Sequence, residues 1–175
     1  ALPIFSADCP ILLIHNGMGT LDELTLPETP TKRAILQGII THGAYQQDQK
    51  VLHTAEGITH IGPLNTTARQ YGYLAEILHQ ALPDVAWHND IHTISWLKLA
   101  VNCVINPLTV FYQCRNGDLL KYPEHIQKVC DEVYQVMERE GVIPTSRSHL
   151  HGYIIDTIEQ TANNYSSMYQ DVKYQ

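Results

Sequence analysis

The stretch KLAVNCVIN, Lys98 to Asn106, decides how this chain folds. Lys98, Asn102 and Asn106 stand four apart, and from Ile94 to Gln113 the lysine is the only charged residue. On an α-helix, residues four apart lie nearly above one another, so the three make one polar stripe over two turns. Every other position from Leu97 to Ile105 is apolar. A helix apolar around most of its circumference is buried by its neighbours. Buried lysines and amides need partners, so the stripe is expected to line a polar cavity or meet a ligand. A single lysine would more simply snorkel to the surface, with the asparagines capping neighbouring loops. Three aligned polar groups on so apolar a helix favour the cavity. The pair Asn106-Pro107 predicts a kink or break there, because proline removes a backbone donor and disfavours helical geometry in the residue before it.

Downstream of this run the texture is helical. CRNGDL, from Cys114, reads as a turn. Pro123 to Gly141 reads as a helix with proline at its start, glycine at its end and a stripe of Ile126, Val129, Val133, Val136 and Met137. His149 to Asn164 reads as another, and SSMYQDVKYQ from Ser166 begins a last one. Upstream the chain is strand-rich. Ile11 to Asn16 is a continuous apolar run suited to a buried strand, turned by NGMG. Thr20 and Glu23 fit a capping box, and Thr25 to Arg33 is a proline-rich loop. Ile35–Ala44, Lys50–Ala55 and Gly57–Pro63 read as strands joined by polar turns, paired antiparallel. Thr67 to Leu82 reads as a helix with Tyr71, Leu74, Ile77, Leu78 and Leu82 on one face, and Asp84 to Asp90 as a short strand or connector. The expected architecture is α/β followed by all-α, with domains at 1–89 and 90–175.

A chain of 175 residues, 44% apolar and 17% charged, can build a real core. Its net charge of -7, with no basic run, excludes a nucleic-acid scaffold, because phosphate binding needs clustered Lys and Arg. Cys9, Cys103, Cys114 and Cys130 form no C-x-x-C pair. Cys103, inside the apolar run, reads as a small core residue. With no signal-peptide pattern, the expectation is reduced thiols in a cytoplasmic protein. The run 94–113 is long enough for a membrane span, but its lysine, two asparagines and Pro107 argue against one.

A desolvated lysine has a lowered pKa and serves as an acid or base near neutrality. Asparagines donate oriented hydrogen bonds to hydroxyls, carbonyls or carboxylates. That chemistry suits carbonyl reduction and Schiff-base formation equally. NGMG after a strand is a weak phosphate-loop match, because Asp22 stands where the third glycine belongs and would repel a pyrophosphate. It reads as a tight turn, with Asn16 facing the crevice at the strand's carboxyl end, where α/β proteins bind ligands. His149 and His151 are two apart and His88 and His92 four apart, without a Cys or carboxylate at zinc spacing, so no metal is expected. NNYSSM, Asn163 to Met168, has the amides and hydroxyls that cap a helix.

Read together, ILLIHNGMG, GITHIGP, LPDVAWHND, WLKLAVNCVINPLT, CRNGDL, EREG and SSMYQD resemble, in order and spacing, the ketopantoate reductase (2-dehydropantoate 2-reductase) family. The resemblance covers nearly the whole chain, and its lysine-helix segment is the specific part. It implies an NADPH-dependent reduction of 2-dehydropantoate to (R)-pantoate in pantothenate biosynthesis. It also implies the later part of a Rossmann-type NADP-binding domain, followed by a helical domain of the 6-phosphogluconate-dehydrogenase type, with the site in the cleft between them. By resemblance, Lys98 matches the catalytic lysine that protonates the nascent alkoxide. Asn102, Asn106 and Asn116 match substrate-binding asparagines, Ser167 matches the serine that holds the substrate, and Asn164 lies in the same segment. Asn16 matches the asparagine touching cofactor and substrate, and Ala44 a backbone position beside the cofactor. A monomer or homodimer, without nucleic-acid or membrane partners, is expected.

The same resemblance places the family's G-x-G-x-x-G opening before Ala1 and its final-helix glutamate after Gln175. The chain is therefore expected to be the middle of the enzyme and not to turn over substrate alone. Two other readings stay open: a related NAD(P)-dependent 2-keto-acid or opine-type dehydrogenase, and a catalytically inactive binding or dimerisation fragment.

Overall fold

A computed structural model describes residues 6, 8–20, 33–47, 49–142 and 146–174. Glu23 of the expected capping box with Thr20, and most of the proline-rich loop, lie outside them. The chain divides into two compact units, Ala1–Ser95 and Trp96–Gln175.

The first unit is built on a four-stranded sheet. Its strands are β1 (Ile11–Leu13), β2 (Ile35–Ile40), β5 (Ile58–Pro63) and β6 (Asp84–Trp87), in the order β1-β2-β5-β6. Between β2 and β5 the chain forms a separate antiparallel hairpin of β3 (Gly43–Gln47) and β4 (Lys50–Ala55). The expected antiparallel pairing holds for β2 with β5, where Gly38 faces Ile61 and Ile39 faces His60. It holds also for β4, paired antiparallel with β3, while the sheet edges, for which no pairing was expected, are parallel: β1 to β2 and β5 to β6. Parallel neighbours need a long crossover, and residues 64–83 supply one between β5 and β6. The expected strand Ile35–Ala44 ends at Ile40, because Thr41 turns the chain. Its N–H donates to the Ile58 carbonyl at 3.1 Å, and its hydroxyl exchanges bonds with the same residue. Gly57 makes that approach possible, since a Cβ there would stand 2.5 Å from the Thr41 carbonyl carbon.

The expected helix Thr67–Leu82 is instead a 3-10 turn, Thr66–Tyr71, followed by α1, Leu74–His79. Asn65 opens the turn by accepting from the Ala68 N–H at 3.0 Å. Gly72, a poor helix former, separates the two pieces. Leu36, Ile61, Ala34 and Ala68 form the core of this unit, with Leu12, Tyr71, Leu74, Leu78, Val85 and Trp87 packed against it. Ile77 and Leu82, expected on the same face as Leu74, are exposed.

The second unit gathers around α2, Ile91–Tyr112. Asp90 caps this helix, taking the N–H of His92 at 3.2 Å and the Thr93 hydroxyl at 2.8 Å. After it come a 3-10 turn (Asn116–Lys121), α3 (Pro123–Arg139), α4 (Arg147–Gln160) and α5 (Ser167–Tyr174). Ala100, Val104 and Ile105 of α2 pack with Leu119, Ile126, Cys130, Met137, Leu150, Ile154 and Ile158. On α3, Cys130 joins the expected stripe, whereas Val136 is exposed.

Two expectations about α2 are corrected. The helix passes through Pro107 unbroken. Burial of Val104, Ile105 and Thr109 on either side outweighs the single hydrogen bond that proline forfeits. Nor is α2 covered all round, for Cys103, Pro107 and Phe111, four apart, are exposed. By length and composition α2 alone among the described residues could cross a membrane. Its packing into this core and its polar stripe account for it as the central helix of the unit.

Candidate active site

Three of the predicted residues, Lys98, Asn102 and Asn106, project from successive turns of α2, all partly buried. Burial pushes the Lys98 pKa below the ordinary lysine value, because removing water disfavours the ammonium more than the free amine.

Asn116 opens the 3-10 turn and is 7% exposed. Its Nδ2 donates to the Thr161 hydroxyl at 2.9 Å, and Thr161 in turn donates to the Thr157 carbonyl at 2.7 Å. Its Oδ1 is buried without a hydrogen-bond partner among the described residues. A buried acceptor left in that state is costly, and a ligand hydroxyl would satisfy it.

The backbone welds this turn to the α4–α5 connection. The Asn116 N–H donates to the Asn164 carbonyl at 3.0 Å, and the Gly117 N–H to the Ala162 carbonyl at 3.1 Å. Gly117 permits this contact, since a Cβ there would stand 2.6 Å from the Ala162 Cβ. Arg115 adds a bond from Nη1 to the Asn163 carbonyl at 3.0 Å and lies over the Tyr165 ring. Asn116 and Asn164 are thereby brought together.

Ser167 is the first residue of α5 and is exposed. The cap of that helix is Ser166, whose Oγ accepts from the Tyr169 N–H at 3.1 Å. Ser166 is buried and meets Thr109 of α2, hydroxyl to hydroxyl, at 2.6 Å. The sequence marked the segment as a helix opening, but nothing in it singled out Thr109 as its partner.

Asn16 and Ala44 belong to the first unit. Asn16 sits exposed in the turn after β1, followed by Gly17 and Gly19, both at φ 89. Among the described residues, no non-neighbouring atom lies within 4 Å of where a Cβ would stand on either glycine. His15 and Thr20 close the turn through an Nε2–hydroxyl contact of 2.5 Å. Ala44 lies in β3 opposite His53 and is exposed. Four histidines of this unit form two pairs: His60 Nδ1 lies 2.8 Å from His88 Nε2, and His42 Nδ1 3.2 Å from His53 Nε2.

Comparison with known proteins completes the description. The family model described as "Ketopantoate reductase PanE/ApbA" matches residues 1–66, and "Ketopantoate reductase PanE/ApbA C terminal" matches residues 90–175. A curated 2-dehydropantoate 2-reductase from Yersinia pestis is 51% identical over 174 residues, covering 99% of this chain and 56% of that protein. The chain thus spans about half the length of the curated relatives it matches. Among solved structures, the probable 2-dehydropantoate 2-reductase of Bacillus subtilis superposes with a TM-score of 0.74 at 26% identity, over 95% of this chain and 56% of that one. D-mandelate dehydrogenase, in a ternary structure with NADH and anilino(oxo)acetate, gives 0.85 at 20% identity, over 99% and 57%. The second likeness shows the fold alone.

Proposed function

The chain belongs to the ketopantoate reductase family, and from that premise we propose that it carries the substrate-binding and proton-donating residues of a 2-dehydropantoate 2-reductase. The reaction is reduction of 2-dehydropantoate to (R)-pantoate in pantothenate biosynthesis, in the cytoplasm. Residues 1–89 are the later strands of the nucleotide-binding domain, and residues 90–175 belong to the substrate domain.

The observation that carries this reading is the desolvated Lys98 on the same helix face as Asn102 and Asn106. A lysine whose ammonium is destabilised by burial gives up a proton more readily than one in water. In the forward reaction the carbonyl oxygen gains electron density as its carbon is reduced. Lys98 Nζ faces that oxygen, stabilises the developing alkoxide and then transfers a proton to it. Asn102 and Asn106 orient the substrate's polar groups along α2. The unpartnered Oδ1 of Asn116 accepts from a substrate hydroxyl, while Asn164 and Ser167 hold the opposite end of the molecule. The hydroxyl-bearing 2-keto acid offers both a donor for Asn116 and acceptors for the amide and hydroxyl hydrogens.

A nicotinamide cofactor supplies the hydride when bound. The residues of the first unit fit it: an exposed amide at the carboxyl end of β1 and a glycine turn behind it. Asn16 bonds cofactor and substrate there, and the backbone at Ala44 flanks the cofactor. NADPH over NADH is the family's preference and is assigned here on that basis.

The test uses the product of the complete reading frame. It should oxidise NADPH with 2-dehydropantoate and discriminate against other 2-keto acids. Lys98→Ala should lower kcat by about 10²- to 10⁴-fold, the usual worth of a positioned proton donor, with the fold retained by circular dichroism. Unchanged turnover in Lys98→Ala would refute the catalytic assignment. Preference for an aromatic 2-keto acid would move the protein to a related dehydrogenase.

A further inference from the structure

Four groups from two distant segments form one chain of contacts through the interior of the second unit. The Tyr169 N–H donates to Ser166 Oγ at 3.1 Å. Ser166 Oγ lies 2.6 Å from Thr109 Oγ1, and Thr109 Oγ1 donates to the Asn106 carbonyl at 2.8 Å. Thr109 is 0% exposed and Ser166 6%.

Elementary chemistry allows one direction in which all three contacts are hydrogen bonds at once. A backbone N–H can only donate and a carbonyl can only accept, and each hydroxyl has one hydrogen. With the Thr109 hydrogen on the Asn106 carbonyl, Thr109 accepts from Ser166. Ser166 therefore donates to Thr109 and accepts from Tyr169. Every donor and acceptor is satisfied in that one direction: Tyr169 to Ser166 to Thr109 to Asn106. Buried hydroxyls satisfied in this way are held far more firmly than surface ones, because neither has water as an alternative.

The two ends of the relay are the carbonyl of Asn106 and the first turn of α5, where Ser167 stands. Resting on the function proposed above, we infer that Thr109 and Ser166 are positioning residues that set the spacing between Asn106 and Ser167 for the 2-keto acid. Both residues are buried, which suits them to holding other groups and not to contact with the substrate. Thr109 belongs to the central helix, whereas Ser166 caps the first turn of α5, so the buried hydroxyl pair ties the start of that helix to α2.

The experiment is steady-state kinetics on the complete protein, comparing wild type with Thr109→Val, Ser166→Ala and Thr109→Ser. Thr109→Val keeps the shape and removes the hydroxyl. It should raise KM for 2-dehydropantoate about tenfold, as expected for one buried hydrogen bond that aligns a ligand group, and leave KM for NADPH within twofold. Ser166→Ala, which spares the Thr109–Asn106 bond, should do the same. Thr109→Ser restores the hydroxyl and should return KM for the keto acid to within about threefold of wild type. A purely structural role would lower the melting temperature and the active fraction but leave both KM values in place. Should Thr109→Val fail to fold, Ser166→Ala decides. A wild-type KM for the keto acid in a folded variant lacking either hydroxyl overturns the inference. Failure of the proposed function would show earlier, as a wild type that does not oxidise NADPH with 2-dehydropantoate.

Discussion

At the scale of single residues, the proton-donating role proposed for Lys98 fixes what a pH profile should show. Its pKa lies below the ordinary 10.5 because burial penalises the ammonium. In that proposed role it must be charged, so kcat/KM for reduction should be level at lower pH and fall as pH rises through the lowered pKa. The descending limb should therefore sit below the range of a free lysine and vanish in Lys98→Gln, as a pH–rate profile would show. Stability runs the opposite way. Between the lowered pKa and 10.5 the unfolded chain binds the proton and the folded one does not, so stability rises with pH across that window. Asp90 has the reverse sign. The Thr93 hydroxyl, chiefly, holds its carboxyl below the ordinary 3.8; burial opposes this, and the Thr93 and His92 N–H groups add to the lowering. Its contribution to stability is present above 3.8 and is lost as pH falls through the lowered value. Asp90→Ala should cost about 1 kcal/mol near neutrality, as for other helix caps, and almost nothing in strong acid, measured by urea unfolding.

At the scale of elements, α2 carries most of the information. Pro107 lies inside it and is exposed, so Pro107→Ala loses no packing and restores a backbone donor. The variant should be more stable, by up to about 3 kcal/mol, in a thermal or denaturant melt. The sequence made this helix legible through its length and its stripe at every fourth residue. It made α3 legible through Pro123, Gly141 and the Ile126–Met137 spacing. What it could not show was where α2 opens to solvent. Cys103, Pro107 and Phe111 share a helical phase, and only tertiary packing decides which phase is covered. The break that proline allowed is absent for the same reason: a local preference of the residue before proline yields to a core that holds both sides of it. In the first unit, apolar runs bounded by polar turns revealed β2 and β5 but not the neighbours of β1 and β6, since a strand's own sequence is blind to strand order.

At the scale of the whole molecule, the two units have cores that share no residue: Leu36 and Ile61 centre one, Ile154 and Leu119 the other. Leu36→Ala and Ile154→Ala should each cost about 2–5 kcal/mol. Their effects should add to within about 0.5 kcal/mol in the double variant, as calorimetry or urea melts would record. Division into a strand-rich and a helical half was readable from the texture on either side of Asp90. So was the stripe of Lys98, Asn102 and Asn106. The contact between Thr109 and Ser166 was not, for 57 residues separate them and neither stands out from the other hydroxyls.

The sulfur atoms follow the same division between covered and open. Cys130 is sealed at 0% exposure, and burial first, then the neighbouring Asp131 carboxylate, pushes its pKa up to about 11. Cys9 is open to solvent, and Cys103 is exposed too, although partial burial of its thiol pushes its pKa up. Peroxide attacks accessible thiolates, so ageing of the folded protein should leave its chemical scars on the outer thiols while the innermost one stays pristine. Sulfonic acid found at Cys130 would then be a record that the molecule had come undone before it was damaged.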